Sequence, residues 1–407
     1  MLESIILVLE KNNIMENYTL QWSNRISEID KSIWQNIFSN YGPIGDYDFI
    51  LSVEKSAMSG IHNLYLSIYD SDKCCAIVPC FIYDFDLSIL SGNNIKKCVN
   101  IVRCINKNFL KKNILFAGTP LAVCNHLLGI NENIIGDDRD DLLQIIKDEL
   151  KNKSLENNCS LFIIKEIPEN QRKLYDKIFL DDMLVLNPLP NSYIVVMNKY
   201  MKFPNYLRSR YKKNINRKIR SFKTFNLKWE EKREYSEYVD TIYALYLNTF
   251  SKSKNKFEVL NKDLFFTIQN DYKNNSFVSI AKDDLGNIRA MILYIHDNKT
   301  LTPLYLGIDY IETLDSDIYF NCIYHIIELA EKFDYKLINL GQTSYNAKIY
   351  SGAFVNNLYV YVFVRNILLR KLIQLFSKYL FPYKEIEKHN CYTEEAMNII
   401  NKMKNNI

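Results

Sequence analysis

The chain has 407 residues, 48% of them hydrophobic and 24% charged, with 51 Lys and Arg against 47 Asp and Glu. That balance excludes a disordered or membrane-spanning protein and leaves room for two separate cores, so two domains are expected. Nine cysteines, mostly inside apolar runs such as "KCCAIVPCF" and without a Cys-x-x-Cys pair, and five dispersed histidines argue for reduced core thiols and against a zinc site.

In chain order, the opening "MLESIILVLEKNN" holds only a five-residue apolar run between Glu3 and Glu10, with no basic lead. It fits neither a signal peptide nor a membrane span, and no later run reaches spanning length, so a cytoplasmic protein is expected. The stretch Leu64 to Asp84, "LYLSIYDSDKCCAIVPCFIYD", reads as two strands around an Asp-Ser-Asp turn. A strand-like "NILFAGTPLAV", an amphipathic helix "DDLLQIIKDELKN" and an apolar strand "CSLFIIKEI" follow. Much later, "SFVSIAKDDLGNIRAMILYIHD" repeats the hairpin, "LTPLYLGIDY" the third strand, "DIYFNCIYHIIELAEKF" the helix and "KLINLG" the last strand. The order hairpin, strand, helix, strand occurs twice at a separation that suits a duplicated domain. Pro204, just after the β-rich "SYIVVM", is placed to open a helix, which sets the boundaries at 15–200 and 201–365, with a helical tail over 366–407.

Between Lys202 and Trp229 lie ten Lys or Arg residues and no acid, so the rest of the chain is net negative. Leu207, Tyr211, Ile215, Ile219 and Phe222 recur at helical spacing and put the cations, among them Arg210, Lys213 and Arg217, on the other faces. Such a face attracts phosphate, of a nucleotide-type cofactor or of RNA, or simply solvates the helix. Near the end, "VRNILLRKLIQLFSKYLFPY" is a basic amphipathic helix that either docks on a domain or lies on a membrane surface or partner.

The stretch "INLGQTSYNAKIYSGAF", Ile338 to Phe354, sends an apolar strand into a dense set of polar side chains. Gly341 lets the strand turn, Gln342, Thr343 and Ser344 can cap the next helix or bind a ligand, and Tyr345 and Lys348 share a helical face. Lys348 could neutralise a carboxylate, phosphate or oxyanion, and Tyr345 could donate a proton.

The repeated order of elements resembles the acyltransferase fold of the GNAT superfamily. "YLRSRYKKNINRKIRSF" and "LGQTSYNAKIYSGA", with "DFILSVEKSA" and "FAGTPLA" in the first half, are similar to segments of its Fem-like branch, in which two such domains stand in tandem. The resemblance covers about residues 40 to 365 and implies an α+β protein of two GNAT-like domains, each a mixed, mostly antiparallel sheet flanked by helices, with a C-terminal helical extension. It implies an N-acyltransferase that moves an acyl or aminoacyl group from acyl-CoA or aminoacyl-tRNA to an amine of a small-molecule or cell-envelope precursor, without a metal. Leu306, Gly307 and Ile308 would supply amides to the donor carbonyl, with Gly307 permitting its close approach, and Tyr350 lies where many relatives place a Tyr acid. After that strand the family's Gly-rich pyrophosphate loop is replaced by "DYIETLDSDIYF", whose Asp309, Glu312, Asp315 and Asp317 would repel a pyrophosphate and suit either a helix N-terminus or an amine. The expected site is therefore Lys348, Tyr345, Gln342, Tyr350 and Asp309 for chemistry, with Leu306, Gly307, Ile308, Arg210, Lys213 and Arg217 for the donor. Expected partners are an amine acceptor, tRNA, and the inner membrane face through 365–383. The competing expectation is a protein of the same fold without turnover, holding RNA or anionic membrane through its basic helices.

Overall fold

A computed structural model describes residues 18–86, 103, 111–197, 199–252, 260–311, 313, 316–380, 386–387 and 389–404. The opening "MLESIILVLEKNN", Glu312 and Asp315 lie outside these residues. The chain begins with β1 (Tyr18–Ser23), α1 (Lys31–Ile37), α2 (Tyr47–Lys55) and the long hairpin β2 (Ile61–Asp70) and β3 (Lys73–Asp86). Then come β4 (Lys111–Ala117), β5 (Gly129–Ile130), α3 (Gly136–Glu156), β6 (Leu161–Pro168), α4 (Arg172–Phe179) and β7 (Leu184–Leu186).

A second series runs β8 (Asn191–Val195), α5 (Ser209–Lys223), β9 (Lys228–Lys232), α6 (Val239–Lys252) and α7 (Asp263–Asp271), then the hairpin β10 (Ser276–Lys282) and β11 (Ile288–His296). It continues through β12 (Thr300–Ile308), α8 (Ile318–Lys332), β13 (Leu337–Gly341), α9 (Tyr345–Tyr350) and β14 (Phe354–Asn356). The chain closes with β15 (Leu358–Val364), α10 (Ile367–Leu380) and α11 (Glu394–Lys404).

These elements form two mixed sheets. The first has the order β1-β2-β3-β4-β6-β15-β7, with β5 paired to β3; the second is β14-β8-β13-β12-β11-β10-β9. Counted from their N-terminal edges, the two orders correspond strand for strand, and each contains one parallel pair, β4 with β6 and β12 with β13. Both predicted hairpins are present, β2 with β3 and β10 with β11. The central strands are buried along consecutive residues and so on both faces, as in β2, β10 and β11, and α3 packs Leu142, Leu143, Ile146 and Leu150 into the first core.

The sixth position of each sheet is filled out of turn. The second sheet takes β8, which precedes its own series, and the first takes β15, which follows the second series. The compact units are accordingly 1–41 with 45–188 and 358–383, and 42–44 with 189–357 and 384–407. The expected boundaries of 15–200, 201–365 and 366–407 differ from these because a strand's pairing partner is chosen across the chain and leaves no mark in its local composition. Pro204 does not open α5, which starts at Ser209.

The predicted apolar face of α5 is observed: Tyr211, Ile215 and Phe222 are buried, joined by Lys218. After residue 384 the chain returns to the second unit, where Tyr392 stacks on Tyr206 at 5.7 Å and on Phe354 at 5.4 Å. The seven described cysteines are all buried thiols.

Candidate active site

The second sheet opens between its two parallel strands. Their register holds only at Thr300 with Leu337 and Leu301 with Ile338. Beyond that point β12 follows β11 to Ile308, while β13 follows β8, Asn339 opposite Tyr193 and Gly341 opposite Ser192. Each strand has a local cause for leaving the other. In β12 the register slips between Tyr305 and Pro303, an extra residue that bends the strand next to a proline with no N–H to give. In β13 it slips between Asn339 and Gly341, and Gly341 has φ +70. Residues 303–306 are consequently half-exposed, although Leu301 and Thr302 before them and Gly307 and Ile308 after them are buried.

Hydrogen-bonded pairs alternate along an antiparallel ladder. Asp309 N–H donates to Arg289 O at 2.8 Å, so Met291 with Gly307 and Leu293 with Tyr305 are the bonded pairs. The amide of Gly307 therefore points to β11, whereas those of Leu306 and Ile308 turn toward the opening. Ile308 N–H is taken by Thr249 Oγ1 of α6 at 3.1 Å, which leaves Leu306 as the amide of the three facing the gap.

Gly307 has a packing role of its own. A Cβ there would lie 2.6 Å from the carbonyl carbon of Leu245 and 2.7 Å from Tyr246 N, so the missing side chain makes room for the backbone of α6.

The end of β13 is held by side chains that the sequence suggested for chemistry. Lys348 is buried, with 6% of its surface exposed, and its ammonium donates to Leu340 O at 2.8 Å, Gly341 O at 3.1 Å and Gln342 O at 2.8 Å. These carbonyls converge because Gly341, Thr343 and Ser344 all adopt positive φ, coiling the chain around the ammonium. Gln342 Nε2 donates to Leu189 O and Tyr345 OH to Pro190 O, each at 2.8 Å, fastening the turn to the segment that enters β8. Ser344 occupies the N-cap position of α9 without a side-chain cap bond. Tyr350, at the other end of α9, packs between Tyr211 at 5.9 Å and His389 at 4.9 Å. Thus Gln342, Tyr345 and Lys348 come together at the strand end, and Tyr350 belongs to the surface covered by the returning tail. That tail fits because Gly352, at φ +99, leaves space for the Tyr392 hydroxyl, which donates to its carbonyl.

The two described acids after β12, Asp309 and Asp317, are each paired with cations. Asp309 pairs with Arg289 Nη1 at 2.8 Å, and the same guanidinium holds Asp283 through Nε at 2.8 Å. Asp317 is the N-cap residue of α8 in left-handed conformation and makes no side-chain cap bond. Its carboxylate meets Lys218 at 2.8 Å and Arg217 at 3.6 Å. Lys218 is buried at 7% exposure, lies 3.1 Å from the Phe320 ring centre, and has its backbone carbonyl held by Asn321 Nδ2. An internal carboxylate and its two counter-cations thus stand at the helix N-terminus where the resembling family binds pyrophosphate. Among the other expected donor contacts, Arg210, Lys213 and Arg217 line an exposed stripe of α5, completed by Arg220, on the side away from the buried Tyr211, Ile215 and Phe222.

Sequence reasoning missed Thr249 and Tyr319, and counted Lys218 among the cations on the outer faces of α5 although it is buried. The Tyr319 hydroxyl, in the first turn of α8, lies near Ser344 beyond the end of β13, and burial pushes its pKa up to about 12. A Tyr in the first turn of the helix after the third strand is the one local signal for it. Among the described residues no His, Cys, Asp and Glu cluster is placed to hold a metal ion.

The first unit closes the corresponding gap with its own chain. Beyond Ala117 opposite Ile164, Lys165 Nζ donates to Thr119 O at 2.8 Å and Leu121 O at 3.0 Å, and buried Glu166 accepts the amides of Val123 and Cys124.

No protein-family model matches the sequence, and no curated protein sequence does. Solved structures do match in three dimensions. FemX aligns with TM-score 0.55 at 9% identity over 88% of this chain and all of its own. A conserved protein of unknown function from Bacteroides thetaiotaomicron aligns at 0.52 and 11% identity over 85% of this chain and all of its own. The C-terminal domain of a putative lysylphosphatidylglycerol synthetase from Agrobacterium fabrum aligns at 0.50 and 10% over 89% and all of its own. At these identities the likeness is one of fold: the chain shares the two-sheet α+β fold of FemX and of these other structures along nearly its whole length.

Proposed function

We propose that the protein is an N-acyltransferase whose reaction takes place in the gap between β12 and β13. The observation that carries this reading is the divergence of these two parallel strands beside an inward-turned Leu306 amide, while the equivalent gap in the first unit is filled. A carbonyl laid along β12 would receive the Leu306 N–H and be polarised by it. The acceptor's amine nitrogen attacks the carbonyl carbon; a C–N bond forms, the C–O bond of an ester or C–S bond of a thioester breaks, the amine gives up a proton and the leaving group gains one. Asp309, the first residue beyond β12 and the ion-pair partner of Arg289, is the candidate to take the amine proton, and Tyr345, whose hydroxyl must turn from Pro190 O to do so, the candidate to supply the other. Gln342 and Lys348 act by shaping the strand end.

Two donors fit this chemistry, acyl-CoA and an aminoacyl-tRNA. The carboxylate of Asp317 at the α8 N-terminus favours a donor that docks no pyrophosphate there, and the stripe of Arg210, Lys213, Arg217 and Arg220 favours a polyanion such as tRNA.

The test is thermal unfolding with CoA, acetyl-CoA, a longer acyl-CoA and charged tRNA, each at low and moderate salt, followed by amide formation with simple amines. Stabilisation by charged tRNA that falls with salt, with amide product, is expected. Stabilisation by acyl-CoA alone moves the donor to a thioester. Polyanion binding with no product from any donor sinks the enzymatic reading in favour of a binding protein.

A further inference from the structure

The geometry points to α10 as a helix that seats this protein on an anionic lipid surface. One side of α10 rests on the first sheet, where Leu369 and Ile373 pack with Val362 and Val364 of β15. The opposite side carries large apolar groups into solvent: Ile367 is 70% exposed, Leu368 72% and Leu375 72%. Ile367, Lys371 and Leu375 follow one another at four-residue spacing, with Leu368 alongside, so a lysine stands in the middle of the apolar patch. Exposed Arg365 just before the helix and half-buried Arg370 add positive charge at its edge.

The surrounding sequence contains no opposing charge. From Tyr335 to Lys384 there is neither Asp nor Glu, an interval that spans the whole helix. Three leucine-class side chains pointing into water are unfavourable unless something apolar receives them. The cations among them require that the same partner be negative.

An anionic bilayer surface offers both at once, acyl chains to the leucines and phosphates to Lys371 and the arginines, whose aliphatic stems can lie along the interface. A second copy of the chain would bring cation against cation, and a nucleic acid would leave the leucines wet. No described helix is long and apolar enough to cross a membrane, so α10 would lie in the interface plane.

Co-sedimentation of the full chain with phosphatidylcholine vesicles, with and without phosphatidylglycerol, tests this. Binding is expected to vesicles containing phosphatidylglycerol, weakening as salt is raised. Leu368→Ser with Leu375→Ser should weaken it at least about tenfold, and Arg370→Gln with Lys371→Gln should remove the preference for anionic lipid, neither changing the unfolding midpoint because these side chains are not in the core. Failure to bind at low salt, equal binding to neutral vesicles, or binding that survives both double variants overturns the inference. So does a dimer in light scattering that the leucine variant dissociates.

Discussion

Replacing Lys348 by Met keeps the volume and removes the three hydrogen bonds that close the turn after β13. A charged donor contributes about 1.5–3 kcal/mol per bond, which sets a ceiling of roughly 4.5–9 kcal/mol for three. Two corrections reduce it. The ammonium no longer has to be stripped of water, a cost of several kcal/mol, and the carbonyls of half-exposed Gly341 and Gln342 can find water instead. A net loss of about 2–4 kcal/mol remains. With a urea dependence near 2–3 kcal/mol per molar, the midpoint for the second unit should fall by about 1 M. The unit can be followed by hydrogen exchange of peptides covering 337–350, where protection should collapse first. A midpoint within about 0.3 M of the parent, with unchanged exchange, would refute the reasoning and restore Lys348 as a side chain held for a ligand. Transfer activity should fall with stability in this variant, because the same bonds fix the edge of the gap.

Gly307→Ala should cost about 1–3 kcal/mol by urea titration, since its Cβ would press on the backbone of α6 and cannot be relieved by a rotamer change. Asp317→Asn should destabilise by about 3 kcal/mol by leaving buried Lys218 without its counter-charge, and Lys218→Met added to it should recover most of the loss. Stability should also fall on acidification. Burial lowers the pKa of His325 to about 3 and that of His126 to about 4, so between the ordinary value near 6.5 and these values the unfolded chain binds more protons than the native one. That gives a loss of up to about 1.4 kcal/mol per pH unit for each ring below pH 6.5, full stability above it, and a flatter profile for His325→Gln.

The local parts of this fold were legible in the sequence. Both hairpins, the helices α3 and α8, and the apolar face of α5 announce themselves by period and turn chemistry, which neighbouring residues impose on one another. The exchange of β8 and β15 was not legible, because a strand carries the same alternating pattern whichever sheet receives it. Lys218 and Lys348 were read as cations facing solvent or ligand, and only the positions of Asp317 and of three convergent carbonyls reveal them as buried. The contact of Gly307 with α6 was not legible either, because that helix approaches from far away in sequence.

The out-of-turn strand also sets a timetable for synthesis. Leu358 pairs with Pro168 and Val364 with Leu161, so β6 and β7 emerge from the ribosome long before β15 exists. At about 5–20 residues per second, the strand that completes the first sheet arrives roughly 10–40 s after β6. Throughout that interval β6 presents an unpaired apolar edge, the kind of surface that captures stray strands. Production of this protein should therefore depend on chaperone capacity and on translation speed across residues 170–360 more than on the stability of the finished fold.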